Sequence, residues 1–314
     1  MNIFADKLFK NPIEIIEANS KEEMKNAFAL LDKYREKYYL LGYISYNFEE
    51  LYFEVYDNFE KYIPDRVEKS YGIIAKPLIS KEEYFDCIDK IKKYISEGIT
   101  YEVNYTYPNE VLTNLDDFDL YEALLDKQKT PYNTFFKSDK KTILSFSPEL
   151  FFRLKDNKIY TKPMKGTIER GKSPEEDNKN AEFLYNDIKN RAENVMIVDL
   201  LRNDLGRIAK AGSVKVDKLF DIEKHATLFQ MTSEISAELE DNISLYDIFN
   251  AIFPCGSITG APKVSTMKVI DSLEPFNRGV YCGAIGFLSP DECIFSVPIR
   301  ILQSETGKNK SDKF

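Results

Sequence analysis

At 314 residues, with 43% hydrophobic and 13% aromatic side chains, the chain is long enough to bury one large core or two modest ones, as a globular enzyme does. A formal net charge of −9, with both signs spread along the chain, argues against non-specific binding to nucleic acid or an anionic membrane, so a small anionic substrate needs local positive charge. Four cysteines (Cys87, Cys255, Cys282, Cys293) without C-x-x-C spacing, and a Met1 to Lys10 stretch without a long apolar run, argue against a disulfide framework, a zinc site, secretion and membrane spanning, and fit a cytoplasmic protein.

In chain order, residues 1–75, rich in Tyr and Phe, predict a short N-terminal segment that packs on the core with a partial sheet of its own. Ser80 and Glu83 form a capping box ahead of Tyr84, Ile88, Ile91 and Ile95, which predicts a helix closed by Gly98. Tyr101, Val103, Tyr105 and Tyr107 alternate with polar residues as a half-buried strand does. Short strands are predicted at 134–137, 142–146, 151–154 and 158–163, then one long helix from Ser173-Pro174 to about Leu201. Helices at 244–252 and 261–273 alternate with strands at 227–236, 280–288 and 293–302. Strands in runs, rather than regular βαβ units, predict an α+β fold of mainly antiparallel β-sheets flanked by helices. Residues 304–314, polar and lysine-rich, read as a disordered tail.

The first candidate nucleophile is Lys165 in Lys162-Pro163-Met164-Lys165-Gly166-Thr167, with Glu149 of Ser147-Pro148-Glu149 as its acid partner. Two strands joined by a turn at Asp156-Asn157 bring both side chains to one face if no bulge intervenes; the plain alternative is two surface charges. Glu193 lies on an otherwise apolar helix, where a carboxylate is either on the solvated stripe or paired with a cation such as Mg²⁺. The small-residue turn holding Ser257 and Thr259 opens a helix and offers N–H groups and hydroxyls to an anion, although many such turns are only turns. His225, the one histidine, is either a packing residue or a proton handler, and Tyr281 and Arg300 are expected to reach a carboxylate together.

Taken together, EVNYT at 102–106, SPELFFR at 147–153, PMKGT at 163–167, RAENVMIVDLLRNDLGR at 191–207, GSITGAPK at 256–263 and RGVYCGAIGF at 278–287 resemble the chorismate-binding enzymes, in the family's order. The resemblance implies that family's fold, a catalytic domain over 76–303, and chorismate as substrate. Lysine at 165 implies the aminodeoxychorismate synthase type, in which ammonia from a separate glutamine amidotransferase subunit enters at C4; this chain shows no glutaminase-like cysteine motif of its own. The roles implied are Lys165 as nucleophile at C2, Glu149 as acid for the departing C4 hydroxyl, and Glu193 as ligand of a Mg²⁺ bridging the ring carboxylate. Gly166, Thr167, Ser257, Thr259, Tyr281 and Arg300 are the implied substrate contacts, and His225 matches a histidine near the substrate.

Three departures stand out. Glu102 replaces the glutamine usual in ammonia-using relatives, Asn190 replaces an acidic residue three before Glu193, and QSETGKNKSDKF follows Leu302 where the family continues through a glycine-rich segment to a helix with a Glu-x-x-Glu pair. With fewer Mg²⁺ ligands, weak chorismate binding or slow turnover is expected. The competing readings are anthranilate synthase and a catalytically impaired subunit acting as a partner protein; no tryptophan site is expected in the N-terminal part.

Overall fold

The computed structural model describes residues 1–64 and 71–305. Its frame is two antiparallel sheets. The larger runs in the order Met164–Glu169, Leu228–Glu238, Lys158–Lys162, Leu150–Lys155, Cys293–Ser296, Ala284–Leu288, Tyr39–Ile44, Leu51–Tyr56, Glu14–Ala18, with Lys215–Lys224 also paired to Leu228–Glu238. The smaller runs Ile301–Glu305, Lys141–Ser147, Tyr132–Lys137, Asn2–Phe4, Lys7–Phe9, Glu60–Lys61. Alternating apolar residues on strands of both sheets, among them Phe4, Phe9, Tyr43, Tyr56, Phe136, Ile285 and Phe287, form one buried cluster that joins them.

The larger sheet buries a second cluster under helices Lys21–Arg35, Ile188–Gly206 and Leu245–Ile252. Phe249 sits at its centre, with ring centroids 4.9 Å from those of Phe28 and Phe295. Burying each such ring contributes roughly 1.5–3 kcal/mol. Helix Asp117–Lys127 packs on the smaller sheet through Leu120 and Tyr121. Helix Lys81–Ser96 begins at the predicted capping box, with Ser80 and Glu83 each accepting from the other's backbone N–H. It packs on helix Lys263–Leu273 through Ile91, Val269 and Leu273. The α+β class of antiparallel sheets flanked by helices is as expected.

Several local expectations fail for identifiable reasons. The first residues build no sheet of their own: Tyr39–Ile44 pairs with Ala284–Leu288, and Asn2–Phe4 with Tyr132–Lys137. The long helix is two, Pro174–Asn186 and Ile188–Gly206, because Asp187 turns extended (φ −65°, ψ 114°) and caps the second by accepting from the Asn190 N–H. The strand expected over 280–288 begins only at Ala284, since Gly279 and Cys282 take positive φ in a turn. Residues 293–302 form two strands in different sheets: Pro298 lacks the N–H a ladder needs, and the chain crosses over before Ile301. Lys215–Lys224 escaped notice because its residues are mostly charged and only Phe220 is buried. Of the tail, Ser304 and Glu305 belong to a strand, and 306–314 lie outside the described residues.

The segment 101–107 is extended but scarcely a strand. Only Glu102–Val103 forms a ladder, with Gly260–Ala261. Further bonds run from the Asn104 N–H to the Thr259 carbonyl (2.9 Å) and from the Thr106 N–H to Glu274 Oε1 (2.8 Å). The approach is so close that a Cβ at Gly260, whose φ is +137°, would lie 1.9 Å from the Glu102 carbonyl oxygen. Gly260→Ala is therefore expected to destabilise the protein by about 2–4 kcal/mol through strain and overlap, read as a lowered urea midpoint. Gly206→Ala, with open space around the site, should stay within about 1 kcal/mol of the parent.

Candidate active site

Lys165 owes its position to an irregular strand. Between Met164 and Thr167 the ladder with Leu228–Glu238 gains one residue, Met164 facing Thr232 and Thr167 facing Gln230, and Gly166 takes φ +86° inside that bulge. A second bulge lies between Leu150 and Arg153, just after Glu149. Simple alternation between the two positions therefore does not apply, because bulges intervene and Lys165 sits on a different strand pair from the one first considered. The Lys165 charge favours the ionised form of Glu149, against the larger effect of its burial. Bulges re-aim side chains in this way beside functional sites.

Glu149 is almost wholly buried, at 3% exposure, and its Oε1 accepts from the Ser257 hydroxyl at 2.6 Å. Burial pushes its carboxyl up to about 7, while the Ser257 bond and the Lys165 charge pull the other way. A carboxylic acid that keeps its proton to neutrality is equipped as a general acid. Ser257 also contacts Cys255 Sγ at 3.2 Å. Burial and the nearby Glu149 raise that thiol to about 12, so Cys255 stays protonated and unreactive.

The amine of Lys165 donates to Glu102 Oε1, and the two side chains are only 13% and 19% exposed. Glu102 is brought there by its ladder with Gly260–Ala261, in the same turn that supplies Ser257. That turn is fastened by a buried ion pair the sequence reading passed over. Arg278 pairs with Glu274 (2.7 Å) and donates to the carbonyls of Asn104 (2.8 Å) and Ile258 (3.3 Å). Gln230 was also missed: its Nε2 donates to the Gly166 carbonyl at 2.7 Å and its Oε1 accepts from the Thr167 hydroxyl at 2.9 Å, fixing the bulge. The available signal was the apolar setting of a lone arginine and a lone glutamine.

The remaining expected residues are placed less centrally. Thr259 is fully buried, and its hydroxyl lies 3.2 Å from the carbonyls of Cys255 and Gly256 in its own turn. Tyr281 is half-buried against the main core, and burial raises its phenol. Arg300 is exposed and donates to Gln128 Oε1 at 3.2 Å. His225 lies in the link between Lys215–Lys224 and Leu228–Glu238; its Nε2 is shielded without a hydrogen-bond partner, 3.8 Å from Glu223.

Glu193 lies on helix Ile188–Gly206, partly exposed and 3.7 Å from Lys189. Asn190, three residues before it, packs so closely on Gly166 that a Cβ there would meet its side chain at 2.8 Å. No three His, Cys, Asp or Glu side chains converge as a metal cage among the described residues. A Mg²⁺ held at Glu193 would have a single protein carboxylate, with the rest of its shell from a bound ligand and water.

Residues 61–310 match the family model described as chorismate binding enzyme, and the chain belongs to that family. It is 41% identical over 231 residues to the aminodeoxychorismate synthase component 1 of Escherichia coli, covering 73% of this chain and 51% of that protein. It is 37% identical over 238 residues to the protein of the same name from Bacillus subtilis, covering 76% and 50%. The chain spans about half the length of the curated relatives it matches. In fold it follows anthranilate synthase component I from Streptococcus pneumoniae, with TM-score 0.82 at 22% identity over 98% of this chain and 85% of that one.

The Glu149 environment makes a direct spectroscopic expectation. The carboxyl C=O band absent from Glu149→Gln should titrate near pH 7, and Ser257→Ala should move the midpoint upward, because that hydroxyl favours the carboxylate. A midpoint in the ordinary carboxylate range near 4 would contradict the burial argument.

Proposed function

We propose that this chain converts chorismate and ammonia to 4-amino-4-deoxychorismate, the precursor of 4-aminobenzoate and folate, in the cytoplasm, with a separate glutamine amidotransferase subunit supplying the ammonia. The observation that carries this reading is a shielded lysine amine within charge reach of a buried carboxyl that holds its proton to about pH 7. The curated relatives named aminodeoxychorismate synthase component 1 support it over the anthranilate alternative. No helix among the described residues is long and apolar enough to cross a membrane.

The lone pair of Lys165 bonds to C2, the ring double bonds shift along the diene as the C4–O bond breaks, and the proton of Glu149 leaves with the hydroxyl as water. Ammonia then bonds to C4, the C2–N bond breaks to return the lysine amine, and the surplus proton on the new ammonium returns to Glu149. Gly166 and Thr167, held by Gln230, and the turn at Ser257–Thr259 line the substrate, with Tyr281 and Arg300 for a carboxylate; Arg300 takes that part by releasing Gln128. Glu193 would hold Mg²⁺ together with the ring carboxylate, and the ion would offset the substrate's negative charge. His225 is assigned to proton handling beside the substrate.

Incubation with chorismate, ammonium chloride and Mg²⁺ should give aminodeoxychorismate, read as 4-aminobenzoate after addition of a lyase, with Lys165→Ala slower by on the order of 10³-fold. Fluorescent 2-aminobenzoate would favour the anthranilate alternative, and calorimetry without Mg²⁺-coupled chorismate binding would favour a partner protein. The rate should fall as pH rises through about 7, because the raised Glu149 carboxyl loses its proton there. Asn190→Asp should tighten Mg²⁺ binding in the presence of chorismate, measured by titration calorimetry, since it adds a carboxylate one helical turn from Glu193.

A further inference from the structure

Glu102 has no part in the steps above, yet among the described residues it is the side chain that accepts from the Lys165 amine. On the reading in which Lys165 is the nucleophile, we propose that Glu102 is the positioning residue for that amine. A lysine has four rotatable bonds, and an amine free to sample them rarely presents its nitrogen to a fixed carbon. This pair is too shielded to be a solvated surface salt bridge.

The fold fixes where Glu102 sits. Its backbone is pinned to Gly260–Ala261, where the absence of a Cβ at 260 permits the contact. Oε1 receives the lysine and, at 3.4 Å, the Asn104 amide; Oε2 is shielded from solvent and has no hydrogen-bond partner among the described residues. A half-satisfied buried carboxylate is costly, and a fold keeps such a group where it serves a site. The ladder that holds Glu102 belongs to the turn whose Ser257 holds Glu149, so one backbone element sets the separation of nucleophile and acid. The contact is chemically compatible with the adduct, since the nitrogen bonded to C2 keeps N–H groups able to donate to Oε1.

Loss of this anchor should act on kcat, because misplacing a nucleophile by about 1 Å costs on the order of a hundredfold. Glu102→Ala is expected to lower kcat for aminodeoxychorismate by about that factor with the KM for chorismate little changed. Glu102→Gln, whose amide oxygen accepts the same bond, should recover to within about threefold of the parent. A Glu102→Ala protein as fast as the parent, or a folded Glu102→Gln protein no better than the alanine variant, overturns the proposal. A second readout is independent of turnover. Lys165 in the Glu102→Ala protein should react several times faster with acetic anhydride than in the parent, relative to Lys162 in the same digest read by mass spectrometry; equal labelling overturns the anchoring. If labelling changes as expected while Lys165→Ala retains full turnover, the reading of Lys165 as nucleophile fails and the anchoring stands.

Discussion

The ladder of Glu102–Val103 with Gly260–Ala261 joins two segments remote in the chain, and the geometry of the site follows from how close they come. A side chain at 260 would overlap the Glu102 carbonyl, so glycine is the residue that permits the contact. Arg278 locks the arrangement from beneath by bonding both segments and the Glu274 carboxylate, whose own oxygen caps the Thr106 N–H. Once these backbones are fastened, Ser257 meets Glu149 and Glu102 meets Lys165.

Two carboxyl groups beside one lysine acquire different characters from their surroundings. Glu149 is dry and has only a neutral hydroxyl as a full partner, so burial prevails and its proton stays to about pH 7. Glu102 faces the amine and accepts a hydrogen bond from it. Environments that divide the roles of like groups are what acid–base chemistry at neutral pH requires. Both bulges, one beside Lys165 and one just after Glu149, lie in the larger sheet.

What was legible beforehand followed local chemistry. The Ser80 capping box, the antiparallel class and the family motifs depend on neighbouring residues or on order along the chain, and they survive in the structure. Features set by distant partners were misread. The alternating tyrosines after Thr100 resemble a strand, but their backbone bonds go to a turn and to a glutamate side chain. The apolar run after Cys293 reads as one strand, and only the crossing at Pro298 reveals two. Arg278, Glu274 and Gln230 lack any motif of their own, since their importance lies in which carbonyls they reach.

By itself the sequence determined the chorismate-binding family, the antiparallel α+β class and the pairing of Lys165 with Glu149 as the reactive candidates, because these rest on residue type, order and short-range periodicity. Tertiary structure alone decided that bulges interrupt the strand alternation around those two, that Glu102 accepts from the amine, and that Arg300 turns toward Gln128. The physical reason is that burial and hydrogen-bond partners are properties of the packed chain: a carboxyl becomes an acid or an anchor according to what surrounds it, and in this site those surroundings come from the far side of the sequence.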